Sequence, residues 1–225
     1  MNEPDYIYTT AEQVLVPYGK GTLLHQLARM YFPWQSVDPS ILTEQMLLSE
    51  DADGLTVAHW LAHRSGIKDL PPALITPRLL MARNRSGITV LHALAQYANL
   101  EHMVPLLTRD MLMATEDENH RTVIEWAADR EEDCEGIAAV AHLLDSEMLM
   151  MKSNVGRTVL HYAMRNRFLD RIQPSAFRPG WMSRKFRGRT LAQILTEDHV
   201  DYVGSHLGEF HEKVRAAILA RLLAK

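Results

Sequence analysis

The chain has 225 residues, of which 47% are apolar and 23% are charged, and its formal net charge is −4. These proportions are typical of a folded protein with a sizeable core, and they exclude an intrinsically disordered chain. The net charge is too small to predict a nucleic acid or an anionic membrane as the partner of the whole surface. The single cysteine, Cys134, excludes an intramolecular disulfide and favours a reducing compartment.

The sequence shows no pattern that would direct the chain into or across a membrane. Residues 1–5 are acidic and lack the basic flank and the apolar core of a signal peptide. No uninterrupted apolar run approaches the roughly 18–20 residues that a membrane-spanning helix needs. We therefore predict a cytoplasmic location, in the producing cell or in a host cell to which the protein is delivered.

A short motif recurs along the chain at a nearly constant spacing. Its clearest copies, 54–62, 87–95 and 156–164, share the pattern Gly-x-Thr-x-x-His, and looser copies surround the other anchoring threonines. These threonines, at positions 22, 56, 89, 122, 158 and 190, are separated by 34, 33, 33, 36 and 32 residues. Such regularity predicts stacked structural units, because one unit cannot bury its apolar face alone.

Each unit has helix signals in a fixed order. The anchoring threonine is a good N-cap, and the apolar residues at +2, +5 and +6 from it share one face of the helix that follows. Pro39, Pro72 and Pro105 predict a second short helix, because proline is suited to the first turn of a helix. A Thr-x-x-Met/Leu-Leu element predicts a third helical turn, and a glycine-bearing turn such as Asp53-Gly54 leads to the next unit.

These signals predict an all-α fold, a helical-repeat solenoid of about five to six units in one domain, 1–225. An amphipathic helix is predicted around 209–223 as part of its C-terminal cap. The predicted parts are an N-terminal cap at 1–20, repeats at 21–53, 54–86, 87–119, 120–155 and 156–187, and a degenerate repeat with the C-terminal cap at 188–225.

The recurring Gly-x-Thr-x-x-His-x-x-Ala pattern resembles the ankyrin repeat, whose signature is Thr-Pro-Leu-His-x-Ala. In that family the motif histidine is structural and bonds near the start of the first helix. The resemblance assigns this role to His25, His59, His92 and His161, with Glu125 and Gln193 as departures. The signature proline is Val or Leu in every copy, and the Thr-x-x-Met/Leu-Leu element replaces the ending that leads into a β-hairpin finger. We therefore expect ankyrin-like repeats with helical joints in place of hairpin fingers.

No residue pattern indicates catalysis or metal binding. His59 and His63 have the i, i+4 spacing of a metal site, but His59 is the motif histidine and no Glu lies between the two. The segment 19–22 lacks the earlier glycine of a phosphate loop. A nucleophile elbow, a cysteine pair and a dinucleotide fingerprint are also absent from the sequence. We predict a non-enzymatic protein with no catalytic residue, no metal and no cofactor.

The helix face opposite the predicted core is formed by positions +4, +7 and +8 from each threonine. Water alone would select Lys and Glu at these positions, whereas the sequence has Trp, Tyr and Arg, the types that dominate binding hot spots. The alternative is that the aromatic residues pack between adjacent repeats. The predicted partner-binding residues are Trp60, His63, Arg64, Gln96, Tyr97, Trp126, Asp129, Arg130, Tyr162, Arg165 and Asn166.

Two neighbouring segments have opposite charge. Residues 116–135 contain nine acidic residues and two arginines, a net charge of −7, whereas residues 165–189 contain eight basic residues and one aspartate, a net charge of +7. Charge runs are usually solvated faces, but a dipolar surface could steer a charged partner.

Three functional hypotheses follow from these observations. The first is a protein–protein interaction module, an adaptor or an inhibitor, that binds one partner protein through a concave helix face. The alternative is nucleic-acid or phosphate binding by the arginine-rich segment 165–189, although the acidic segment beside it would repel such a ligand. A third is weak self-association through the two charged segments.

Overall fold

The structure, a computed structural model, is mostly helical. It describes residues 6–30, 33–97, 100–128, 135–152, 158–165, 171–176, 185–186 and 189–190. The α-helices are α1 (Ala11–Val14), α2 (Leu23–Arg29), α3 (Glu44–Leu47), α4 (Val57–His63), α5 (Pro77–Leu80), α6 (Val90–Gln96), α7 (Arg109–Leu112), α8 (Val123–Ala128), α9 (Glu135–Ala139) and α10 (Val159–Arg165). The strands are β1 (Pro17–Tyr18), β2 (Gly21–Thr22), β3 (Lys185–Phe186) and β4 (Arg189–Thr190).

Each long helix begins immediately after an anchoring threonine, as the spacing predicts. The helices α2, α4, α6, α8 and α10 follow the threonines at 22, 56, 89, 122 and 158. The hydroxyl oxygens of Thr56 and Thr89 each accept the backbone N–H of the third helical residue, at 3.2 Å in both helices. This bond satisfies one of the amides that the first turn of a helix leaves unpaired.

The predicted apolar stripe forms the core of these helices. At +2, +5 and +6 the side chains are buried in α2, α4, α6 and α8, for example Leu91, Leu94 and Ala95 in α6. Removing these side chains from water is the main favourable contribution to folding. The long helices therefore pack in sequence, α2 against α4, α4 against α6, and α6 against α8.

The second short helix of each unit is a 3₁₀ turn. These turns are Pro39–Ile41, Pro72–Leu74 and Glu101–Leu106, at the three predicted proline positions. Helices α3, α5 and α7 then begin after Thr43, Thr76 and Thr108, whose hydroxyls accept the N–H of the third residue. The Thr-x-x-Met/Leu-Leu element is thus a helical turn with its own N-cap.

The joints between units also contain an antiparallel turn that the sequence analysis does not predict. Isolated bridges pair Glu50 with Thr56, Arg83 with Thr89, Thr115 with Thr122, and Lys152 with Thr158. The two-residue hairpins β1–β2 and β3–β4 end at the first and last anchoring threonines in the same way. Gly54 and Gly87 lie in two of these turns at φ values of 78° and 71°, which favour glycine. The joints therefore combine the expected helical turn with a short hairpin-like turn.

The chain divides into two compact units, Met1–Ile137 and Ala138–Lys225. The packed series from α2 to α8 belongs to the first unit. In the second unit, α10 packs against the 3₁₀ turn Met148–Met150. The helix expected around 209–223 lies outside the described residues, and one domain over 1–225 stays a prediction.

Candidate protein-binding surface

The motif histidines cap the N-terminal ends of α2, α4 and α6. Nδ1 of His59 accepts the backbone N–H of Thr56 at 3.3 Å and lies 2.7 Å from its hydroxyl. Because Nδ1 accepts, Nε2 bears the proton and donates to the carbonyl of Ile88 in the next joint at 3.0 Å. His92 repeats this arrangement with Thr89 and with the carbonyl of Arg121, at 3.2 Å.

These bonds give the histidines the location near the helix start that the family resemblance implies. His25 makes the same contacts, with Thr22 and with the carbonyl of Ser49. The side chain of His161 lies outside the described residues. Burial lowers the pKa of His59, and it lowers the pKa of His92 to about 4. Both rings are therefore neutral at physiological pH, and their nitrogens are used inside the chain.

A polar side chain organises each of the antiparallel turns that precede α4, α6 and α8. Asp51 accepts the backbone N–H groups of Asp53 and Leu55, and Glu116 accepts three such groups, from Glu118, Asn119 and Arg121. Burial alone would raise the pKa of each carboxyl, but the hydrogen bonds outweigh it, so both pKa values are lowered. Asn84 takes the same place in the turn between them.

The opposite, C-terminal ends of the helices present a different set of side chains. Nε1 of Trp60 donates to Asp51 Oδ2 at 2.9 Å, and this bond fixes a half-buried indole on α4. The guanidinium of Arg29, at the end of α2, lies 5.1 Å from the centroid of that indole. This distance is within the range of a cation–π interaction. Arg29 and Trp60 thus link α2 to α4.

Contacts from α4 extend the set to the end of α6. The ring of His63 lies 6.0 Å from that of Trp60 and meets the ring of Tyr97 edge-on at 5.0 Å. Burial, with the nearby positive charge of Arg64, lowers the pKa of His63, so this ring is neutral. Nε of Arg64 donates to the carbonyl of Arg29 at 3.0 Å. We call Arg29, Trp60, His63, Arg64 and Tyr97 the aromatic–arginine row.

The row includes four of the eleven predicted partner-binding residues and adds Arg29. It is accessible, because Arg29 and Arg64 are exposed and Tyr97 is 38% exposed. Trp60 is both half-exposed and in contact with the preceding helix. This contact fits the packing interpretation of the residue, and binding through its exposed part stays a prediction.

Six of the seven other predicted residues fall into three groups. Gln96 is exposed beside the row, whereas Trp126 is half-buried, with its ring 5.4 Å from that of His92 and 5.8 Å from the guanidinium of Arg121. Nε1 of Trp126 is buried with no hydrogen-bond partner in the described part of the chain. Asp129, Arg130, Asn166 and the side chain of Arg165 lie outside the described residues.

Tyr162 departs from the expectation of an outward-facing ring. Its side chain is only 1% exposed. It occupies the +4 position, where Ala93 in α6 is also buried. Position +4 therefore lies at the edge of the packed face, and a large ring there gains more from burial than from exposure to water. Tyr162 is not an accessible contact residue in this structure.

A cavity of about 100 Å³ adjoins the row at the C-terminal ends of α2 and α4. Leu61 and Trp34 are among its apolar lining residues, and Met30 lies at its exposed side. Arg64, Lys68 and Asp69 supply charged groups. Arg64 therefore belongs to both the row and the cavity, and the cavity is a feature that the sequence analysis missed. Lys68 and Asp69 come from an irregular turn, Ile67–Asp69, for which periodicity gives no signal.

The acidic segment 116–135 has fewer carboxylates available to attract a charged partner than its net charge suggests. Glu116 is 2% exposed and bonds backbone amides, while Asp117 pairs with Arg83 at 2.8 Å. Glu125 replaces the motif histidine and accepts the N–H and hydroxyl of Thr122. Three of its carboxylates are thus used within the chain. Most of the basic segment 165–189 lies outside the described residues.

No group of three or more His, Cys, Asp or Glu side chains is placed to hold a metal ion in the described ranges. Within the same ranges, no helix is long and apolar enough to cross a membrane.

Comparison with known proteins finds similarity among solved structures. No protein-family model and no curated protein matches the chain. A chain from the structure of the predatory endopeptidase Bd0816 of Bdellovibrio bacteriovorus in complex with the immunity protein Bd3460 matches with a TM-score of 0.40 and 14% identity. The match covers 90% of this chain and 97% of that one. Similarity at this level says nothing about what this chain binds.

Proposed function

We propose that this chain is an ankyrin-like repeat protein that binds another protein through the aromatic–arginine row. Its role is that of an adaptor or an inhibitor, because the protein acts by holding a partner and catalyses no reaction. The repeat interpretation is supported by the anchoring threonines, each of which ends an antiparallel bridge or hairpin.

One observation supports the choice of surface. The row connects the ends of three successive helices through the cation–π contact, the Arg64 bond and the edge-on ring contact. Its side chains are held in place by one another before any partner arrives. Ordered aromatic and arginine side chains lose little conformational entropy on binding, which is the physical basis of a hot spot.

Site-specific photo-crosslinking in the producing cell tests this proposal. A benzophenone amino acid replaces Tyr97, whose ring is 38% exposed on the row. The matched control has the same replacement at Tyr18, which is 55% exposed on the N-terminal hairpin. We expect a discrete crosslinked protein from position 97 after irradiation and no such product from position 18.

The crosslink must also depend on the row. Arg29→Ala in the chain labelled at position 97 removes the cation–π contact with Trp60 and should reduce the yield of the product. Circular dichroism establishes that this variant is folded. Identical products from positions 18 and 97, or none from position 97, would contradict the proposed surface.

A further inference from the structure

Six of the exposed cations of the first unit fall into two classes, and the first class is neutralised within the chain. These cations lie at the joints or on the short helices, where each reaches a carboxylate of the neighbouring repeat. Their pairs are Lys20 with Asp53 at 2.8 Å, Arg78 with Glu44 at 3.2 Å, and Arg83 with Asp117 at 2.8 Å. Arg85, which is also exposed, belongs to neither class, because it donates to the backbone carbonyl of Ala52 at 2.8 Å.

The second class lies at the row and its cavity. Arg29, Arg64 and Lys68 are exposed and make no ion pair with any described residue. Asp69 is the one acidic residue among the described side chains that line the cavity. The ring of His63 adds no charge, because its pKa is lowered. Asp51, which accepts the indole N–H of Trp60, is a second carboxylate beside the row. The three cations outnumber these two carboxylates, so this face is positive in a chain whose formal net charge is −4.

Arg64 is held in an orientation that leaves it available to an incoming anion. Its Nε donates to the carbonyl of Arg29, which fixes the guanidinium plane at the edge of the cavity. No other hydrogen bond of Arg64 to a described residue is present. The two terminal nitrogens of a guanidinium match the two oxygens of a carboxylate in a bidentate pair.

The cavity beside this cation has both polar and apolar lining residues, and its accessible lining is mainly polar. Ala28 and Leu61 are buried beneath it, each 1% exposed, so the apolar side chain that a ligand can reach is Met30, which is 47% exposed. With a volume of about 100 Å³, the cavity has room for one side chain of medium size. A ligand that satisfies both features has a carboxylate and an apolar group on adjacent residues.

We propose that the row and cavity bind an extended acidic segment of the partner protein, with one carboxylate on Arg64 and the neighbouring apolar side chain against Met30 at the exposed side of the cavity. The inference rests on the proposed function and names the chemistry of the partner. A peptide is favoured over a nucleic acid because the exposed side chains of Met30 and Tyr97 offer apolar contacts that a phosphate backbone cannot use. Lys68 and Arg29 flank the carboxylate and add to the attraction.

Peptide selection on the full chain tests the inference. A random peptide phage library is selected in parallel on the wild-type chain and on the charge-reversed variant Arg64→Glu. We expect wild-type selections to enrich Asp or Glu next to an apolar residue of medium size, and Arg64→Glu selections to lose that enrichment. Enriched peptides without an acidic residue, or no enriched peptide at all, would overturn the inference.

Binding of the best synthetic peptide is then measured by fluorescence anisotropy at low and high ionic strength. Arg64→Glu should weaken binding roughly tenfold or more, because like charges across an interface oppose association. Arg64→Gln should weaken it about two- to fivefold, the range of an exposed ion pair. The control Arg78→Glu changes net charge equally at a side chain that is 77% exposed and outside the row, so it should leave affinity within about twofold.

The outcomes separate the inference from the proposed function. If Tyr97→Ala abolishes peptide binding while Arg64→Glu does not change it, the row binds protein but the acidic specificity is wrong. If neither variant changes binding, both proposals fail. A single-stranded DNA oligonucleotide that binds more tightly than the peptide, and is lost with Arg64→Glu, would also overturn the peptide assignment.

Discussion

The two ends of helix α4 use the same kind of side chain in different ways. His59, near the N-terminal end, is fully buried and uses both ring nitrogens within the chain, one on Thr56 and the other on the carbonyl of the next joint. His63, one turn later, is half-exposed and contacts Tyr97 through its ring alone. The first histidine joins repeats, and the second belongs to an accessible surface.

The same contrast holds between the N-terminal ends of α2, α4 and α6 and the C-terminal ends of α2 and α4. At the N-terminal ends, the threonine and histidine side chains and the turn carboxylates complete one another's hydrogen bonds. At the C-terminal ends, Arg29 and Arg64 leave guanidinium groups without a carboxylate among the described residues. Satisfied groups stabilise a fold, whereas oriented groups with unused capacity are suited to a ligand.

The largest expected effect on stability comes from a truncation in the packed core. Leu91→Ala in α6 removes a side chain that is 0% exposed, and it should lower the free energy of unfolding by roughly 2–5 kcal/mol. Because α6 packs on both α4 and α8, the loss should increase hydrogen exchange in all three helices. Chemical denaturation and exchange mass spectrometry measure the two effects. A loss confined to α6 would show that the helices do not stabilise one another.

The second effect is a pH dependence that originates at the N-terminal ends. The pKa of His92 is about 4 in the folded chain against 6.5 for an unperturbed histidine, so the unfolded state takes up its proton first as the pH falls. Stability is complete above about pH 6.5 and should fall by about 3 kcal/mol towards pH 4 through this residue. His92→Gln, which does not titrate, should have a flatter profile in that window.

The turn carboxylates act in a lower pH window and provide a check on this assignment. The pKa values of Asp51 and Glu116 are lowered from 3.8 and 4.5, so their contribution to stability is lost only as the pH falls below those values. A His92→Gln chain should therefore keep its acid transition at low pH. Equal stability profiles for this variant and the wild type between pH 6.5 and 4 would exclude the histidine as the cause.

The third prediction concerns Trp60, which links the Asp51 turn at the N-terminal end of α4 to Arg29 at the C-terminal end of α2. Trp60→Phe retains an aromatic ring beside Arg29 and removes only the N–H that Asp51 accepts. The expected loss is about 1 kcal/mol of unfolding free energy, because the carboxylate keeps its two backbone bonds. The pKa of Asp51 should rise towards its ordinary value, which NMR titration can follow. No rise in this pKa would mean that the indole does not stabilise the ionised carboxylate.

Much of this arrangement could be predicted from the sequence, because it depends on local periodicity. The threonine spacing located the long helices, and the stripe at +2, +5 and +6 identified buried residues such as Leu91. The histidine contacts followed from the family resemblance. Trp60, His63, Arg64 and Tyr97 were predicted to bind a partner because an exposed helix face with aromatic residues is unusual, and this role stays a prediction.

The rest depends on contacts between segments that are distant in the sequence. The bond from Arg64 to the carbonyl of Arg29 joins residues 35 positions apart, and no local pattern predicts it. Position +4 was predicted to face outwards in every unit, but whether it is buried depends on the neighbouring segments, as Tyr162 shows. The role of Asp51 was detectable in principle, because Asp51, Asn84 and Glu116 occupy related positions before the repeat motif.

The smallest expected effect on stability comes from the same substitution, Arg to Gln, at one arginine of a joint and one arginine of the row. Arg83 donates to the carbonyl of Thr115 and to Asp117 across a joint, so Arg83→Gln should cost about 0.5–1 kcal/mol of unfolding free energy. Arg64 has one bond, to the carbonyl of Arg29, and Arg64→Gln should change stability by less than about 0.5 kcal/mol. The affinity for the acidic peptide should change in the opposite order, falling with Arg64→Gln and staying constant with Arg83→Gln. The opposite order of the two effects distinguishes a residue that stabilises the fold from one that binds the peptide. Neither measurement alone does so, because a destabilised chain would lose stability and binding together. If Arg64→Gln destabilises the chain as much as Arg83→Gln does, Arg64 is part of the scaffold, and the binding surface lies elsewhere.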